Sequence, residues 1–146
     1  MEESLSLLKK LKNEFDCKEV DIKTYSPLTL AFIGDCVFDL VIRTVLVGRG
    51  NKSTESLHKH KASIVKAHSQ ACMAEALADK LTDEEADVYR RGRNAKSYTT
   101  AKNASVSDYR KATGFEALVG YLYMMDKEDR IIELIKEGLN TLDISI

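Results

Sequence analysis

Proline occurs once in this chain, at Pro27, and glycine seven times, and no stretch gathers them with serine into a linker. The 146 residues therefore read as one domain, with no internal repeat and no low-complexity tract. Cysteine is equally scarce. Cys17, Cys36 and Cys72 are odd in number, and none stands in Cys-x-x-Cys spacing. That argues against a disulfide framework and a structural zinc site, and it implies reduced thiols in an intracellular, cytoplasmic setting. No apolar run is long enough to span a membrane. The longest, PLTLAFIGDCVFDLVIRTVLVG, is interrupted by Asp35, Asp39 and Arg43. The N-terminus, MEESLSLLKKLKNEF, is charged and amphipathic and lacks the apolar core and cleavage site of a secretory signal. The formal net charge is only −1, so bulk charge by itself points to no polyanionic partner.

What the chain has is apolar residues at helical spacing, 44% apolar content overall, and no alternating strand pattern. A first helix is expected over about residues 3–15, with Leu5, Leu7, Leu8, Leu11 and Phe15 on its apolar side. Ser26 offers an N-cap with Pro27 at the first helical position, for a helix running to about Val47 and stopping at Gly48 or Gly50. Ser53 or Thr54 caps a third helix, expected over about 55–80. Thr82 and Glu85 have the spacing of a capping box for a short helix near 83–91. Residues 92–106 read as a polar loop, followed by a helix over about 107–125. Asp126 is expected to cap a last helix, about 127–137, ending at Gly138. The fold class is all-α.

Two of these helices share an oddity. LAFIGDCVFDL carries Asp35 in an apolar setting, and TGFEALVGYLYMM is apolar apart from Glu116. Each acid has a glycine near it, Gly34 or Gly120, that permits close helix contact. A carboxylate buried among apolar groups is costly unless it is compensated. One reading is structural, with Asp35 paired to a base such as Arg43 and Glu116 accepting a hydrogen bond. The other is that the two acids converge on a divalent cation. Mg²⁺ takes oxygen ligands, keeps several waters, and suits phosphate-ester hydrolysis. Asp39, one turn after Asp35, is either an exposed helix charge or an outer ligand.

Positive charge is concentrated where the helical pattern fails. YRRGRNAKSYTTAKNASVSDYRK, from Tyr89 to Lys111, holds seven Lys and Arg residues and one acid, a local charge of +6. The rest of the chain is −7. Arg, Lys and short polar side chains on a loop are the groups that contact phosphate and sugar. Over residues 90–103 that reading is preferred to a merely solvated surface. For the weaker stretch His58–Lys61, the solvated surface is preferred.

These segments resemble the ribonuclease III family. IGDCVFDL is similar to the family signature, in which a catalytic Asp follows a glycine on a buried helix. GFEALVGYLY is similar to the block that supplies the catalytic Glu. LAFIGD, LHKHKASIV, RGRNAKSYTTAKN and DYRKATGFEALVGYLY resemble, in order and spacing, the short bacterial subgroup Mini-ribonuclease III, over about residues 25–137. The resemblance implies a helical ribonuclease III endonuclease domain that forms a homodimer, with double-stranded RNA held in a valley. It implies that Asp35 and Glu116 are catalytic and metal-binding, with Mg²⁺ as cofactor and Mn²⁺ as a substitute. Metal-bound water would attack the phosphodiester and leave 5′-phosphate and 3′-hydroxyl ends. Arg90, Arg91, Arg93, Asn94, Lys96, Lys102 and Asn103 are the expected RNA contacts. Phe32, Val37 and Phe38 are candidates for the dimer interface, ordinary core being the competing account of each.

The task implied is maturation of precursor 23S ribosomal RNA, with a large-subunit ribosomal protein as a further partner. Residues 1–24 would form a helix and connection within the same domain, and 25–140 the catalytic domain, with no separate RNA-binding domain. The long enzymes of the family carry acids at the positions of Ala31 and Thr113, and the short subgroup does not. Two alternatives stand beside this reading. One is a non-catalytic double-stranded-RNA or ribosome-binding module on the same fold, and the other a helical interaction protein.

Overall fold

The computed structural model describes residues 5–95 and 105–146. Among them are seven α-helices and no strand. They are α1 (Leu7–Glu14), α2 (Pro27–Gly48), α3 (Thr54–Val65), α4 (Ala67–Leu77), α5 (Asp83–Asn94), α6 (Val106–Met124) and α7 (Glu128–Thr141). Serine or threonine starts five of them. The side chains of Ser6, Ser26, Ser53, Thr82 and Ser105 each accept a backbone N–H two or three residues into their helix. The capping box is complete, because Glu85 also accepts from the Thr82 N–H at 2.9 Å. Glu85 is buried and takes two bonds from Arg130 of α7, at 2.8 and 2.9 Å. That buried pair fastens the start of α5 to α7.

The core is built around α6, which packs on α2, α4, α5 and α7. One face of α2 is buried, with Leu30, Gly34, Val37, Phe38, Ile42 and Leu46 recurring at helical spacing. Phe38 meets Phe115 of α6 edge to face, ring centroids 5.3 Å apart. Glycines set how closely the helices approach. A Cβ on Gly34 would lie 1.7 Å from the Glu116 carbonyl oxygen, and one on Gly120 would lie 1.9 Å from that of Leu30. The backbones of α2 and α6 therefore touch at two points. Gly92 and Gly114 do the same for α5 and α6.

Three expectations from the sequence need correction. The helix expected over about 55–80 is broken at Lys66, whose backbone is extended (ψ 155°). Ser69 Oγ donates to the Ser63 carbonyl at 3.0 Å, and Gln70 Nε2 donates to that of Val65 at 2.8 Å. These bonds occupy carbonyls that the broken end of α3 leaves without helical partners. Second, Asp126 does not cap α7. It lies in the left-handed region (φ 58°) and closes α6, with Lys127 N–H bonding to the Leu122 carbonyl and Asp126 N–H to that of Tyr123. Gly138 is likewise no stop signal, being buried within α7 against Met73. Third, α5 continues to Asn94, which puts Arg93 and Asn94 on a helix.

Candidate active site

Because Gly34 seats on the carbonyl of Glu116, Asp35 of α2 and Glu116 of α6 face each other across the helix crossing. Both line an open cleft of about 1000 Å³ between α2, α3, α4 and α6. Glu116 is half-buried. Burial, then the charge of Asp35, then a hydrogen bond between the two carboxyl groups raise its pKa to about 8. Near neutral pH the Glu116 carboxyl therefore keeps its proton. The expected environment of Asp35 is corrected here, since Asp35 is exposed on the cleft wall. The core takes only one face of α2. Asp35 lies on the other, with Phe32 and Cys36, so apolar neighbours in sequence did not make it buried.

Asp39 also lines the cleft, but it is neutralised. It accepts from Arg43 Nε at 2.6 Å and lies 3.4 Å from Lys61 Nζ. Lys61 is a site residue that sequence reasoning missed. Instead of standing on a solvated surface, it is largely covered and reaches into the cleft beside Asp39. Its only signal was its place within LHKHKASIV. Gln70 was also missed. Its side chain lines the cleft, and its Oε1 is buried without a partner among the described residues. Ala31 and Thr113 stand in the walls of the same cleft. Thr113 Oγ1 is occupied with the Tyr109 carbonyl at 2.9 Å.

The basic groups divide by position. Arg90 pairs with Asp87, whereas Arg91 is exposed at the end of α5. Arg93 lies over the Tyr89 ring, 5.8 Å from its centroid, and shares a second, smaller cleft with Asn94, Arg110 and Lys111. Lys96, Lys102 and Asn103 lie outside the described residues. Of the three candidate interface residues, Phe38 and Val37 are buried in the chain's own core, so neither presents a surface to a partner. Phe32 is 82% exposed.

The chain is similar to known proteins over most of its length. The family model described as "Ribonuclease III domain" matches residues 28–127, a span containing both acids and the end of α5. Mini-ribonuclease 3 of Clostridium tetani is 44% identical over 86% of this chain and 83% of its own length. Mini-ribonuclease 3 of Brevibacillus brevis is 46% identical over 77% and 84%. A crystal structure of a protein from Fusobacterium nucleatum superposes with a TM-score of 0.76 at 30% identity, covering 84% of this chain and 98% of that one. With its helices in that arrangement and an Asp–Glu pair at the crossing of the matched segments, the chain belongs to the ribonuclease III family of endoribonucleases, in its Mini-ribonuclease 3 branch.

Proposed function

We propose that this protein cleaves double-stranded RNA with Asp35 and Glu116, and that it matures precursor 23S ribosomal RNA, leaving 5′-phosphate and 3′-hydroxyl ends. The observation that carries the reading is the meeting of the two carboxyl groups in an open cleft. The donor set fits a hard divalent cation, because two facing carboxyl groups otherwise relieve their repulsion by retaining a proton. Mg²⁺ held there, or Mn²⁺ in its place, would supply Lewis acidity to the scissile phosphodiester. The chain's own residues do the remainder. Gly34 and Gly120 fix the spacing of the acids through main-chain contact. Lys61 offsets the charge of Asp39 on the cleft wall.

RNA lies along the cleft bearing Arg93, Asn94 and Arg110, and Arg91, Lys96, Lys102 and Asn103 are further contacts expected from the sequence alone. Arg110 precedes Glu116 by six residues on α6, about 9 Å of helical rise. Backbone contacts can thus sit within a few nucleotides of the acids. Helical RNA offers shape, phosphates and 2′-hydroxyls, so sequence preference is modest and affinity falls with salt. The enzyme works as a homodimer in the cytoplasm, with a large-subunit ribosomal protein assisting on the precursor. Three free thiols suit that reducing compartment.

The test is cleavage of a labelled RNA duplex by the purified protein, with Mg²⁺ and with chelator, beside Asp35→Asn. The expected result is metal-dependent cutting by the parent. The variant should lose it by a factor of about 10³ or more while still binding the duplex. A variant that cuts as well as the parent would remove Asp35 from the chemistry. Binding without cutting by the parent would favour the non-catalytic module.

A further inference from the structure

On the side of α4 next to the first turn of α6 stands a second constellation, made of Cys72, His68 and Asp108. His68 and Cys72 are one turn apart on α4, with Sγ 3.6 Å from Nε2. The other ring nitrogen, Nδ1, lies 2.8 Å from Oδ2 of Asp108. An ionised carboxylate can only accept, so Nδ1 carries a proton and Nε2 turns its lone pair toward the thiol. Nucleophilic thiols need this order of groups: a base within hydrogen-bonding reach of the sulfur and a carboxylate that orients the base. The proton can pass from Sγ to Nε2, and the hydrogen bond to Asp108 holds the ring in the orientation that receives it. Of the other charged groups on these two helices, Glu75 of α4 and Lys111 of α6 pair with each other, Arg110 lines the smaller cleft beside Arg93, and Glu116 lies in the larger one.

We propose that Cys72 is a thiol-modification site, activated by His68 and Asp108, that exchanges with low-molecular-weight disulfides. The Cys72 thiolate attacks one sulfur of the disulfide, a new S–S bond forms, and the old one breaks. The departing thiolate takes the proton held on His68 Nε2. The products are the mixed disulfide on Cys72 and one free thiol, so atoms and electrons balance. The chain supplies its own control. Cys17 and Cys36 are exposed, whereas Cys72 is only partly so. Access alone would make Cys72 the slowest of the three thiols, and the relay makes it the fastest.

The experiment uses the full chain carrying Cys17→Ser and Cys36→Ser, treated with the aromatic disulfide 5,5′-dithiobis(2-nitrobenzoate), thiol release being followed by absorbance. At about pH 6 the folded protein should react at least about tenfold faster than the same chain in denaturant. His68→Gln should remove that advantage, and Asp108→Asn should reduce it and shift the pH profile of the rate. If His68→Gln fails to fold by circular dichroism, Asp108→Asn and the parent's pH profile decide the matter. A folded rate no faster than the denatured one, or a rate indifferent to both substitutions, would overturn the assignment and leave a structural link between α4 and α6.

Discussion

Glu116 is where burial and charge combine most strongly. In the unfolded chain its carboxyl ionises near the ordinary value of 4.5, and in the folded chain only near 8. Between those values the folded protein holds a proton that the unfolded chain has released. Stability therefore falls as pH rises through that window and levels off above it. Glu116→Gln should abolish cleavage and, in chelator, raise Tm by several degrees at about pH 9 while changing it little at about pH 4. Thermal melts at the two pH values check this. An equal gain at both would mean that Glu116 is not held in its neutral form. The two acids were legible in the sequence because each is the odd polar residue in an apolar helix. The exposure of Asp35 was not, since α2 is apolar on two faces and a list of neighbours does not say which face the core will take. Val37 and Phe38 show the same ambiguity from the other side.

At the scale of elements, the glycine contacts tie packing to chemistry. Gly34→Ala or Gly120→Ala drives a Cβ into a main-chain oxygen, and backbone cannot move aside as a flexible side chain would. Either change should cost about 3 kcal/mol or more in urea unfolding. Cleavage should fall by more than the loss of folded protein explains, because separating α2 from α6 separates Asp35 from Glu116. A variant with parental stability and activity would remove the crossing from the mechanism. Helix starts were legible because Ser26, Ser53 and Thr82 announce themselves chemically. Other boundaries were not. The break at Lys66 carries neither proline nor glycine and depends on Ser69 and Gln70 bonding back across it. The end of α6 uses an aspartate where glycine is the usual signal, as the ends of α1 and α7 do at Asp16 and Asp143.

For the molecule as a whole, the outward face of α2 stands out. Leu28, Phe32 and Leu40 are exposed along it at helical spacing, and Leu28 and Phe32 also border the cleft that holds Asp35 and Glu116. A second copy seated there would add a wall to the site. If the proposed homodimer forms on this face, Phe32→Glu should halve the mass seen by sedimentation equilibrium without loss of helical signal, and should lower cleavage with it. An unchanged mass would move the interface elsewhere. Net charge hid a comparable division, a +6 segment within a chain of −1, and only reading it in windows made it visible. The reach between the two acids is set by main-chain atoms where α2 crosses α6, not by the side chains packed around them. Apolar side chains around the crossing can be exchanged, as long as Gly34 and Gly120 stay bare of a Cβ, without pulling Asp35 and Glu116 out of register.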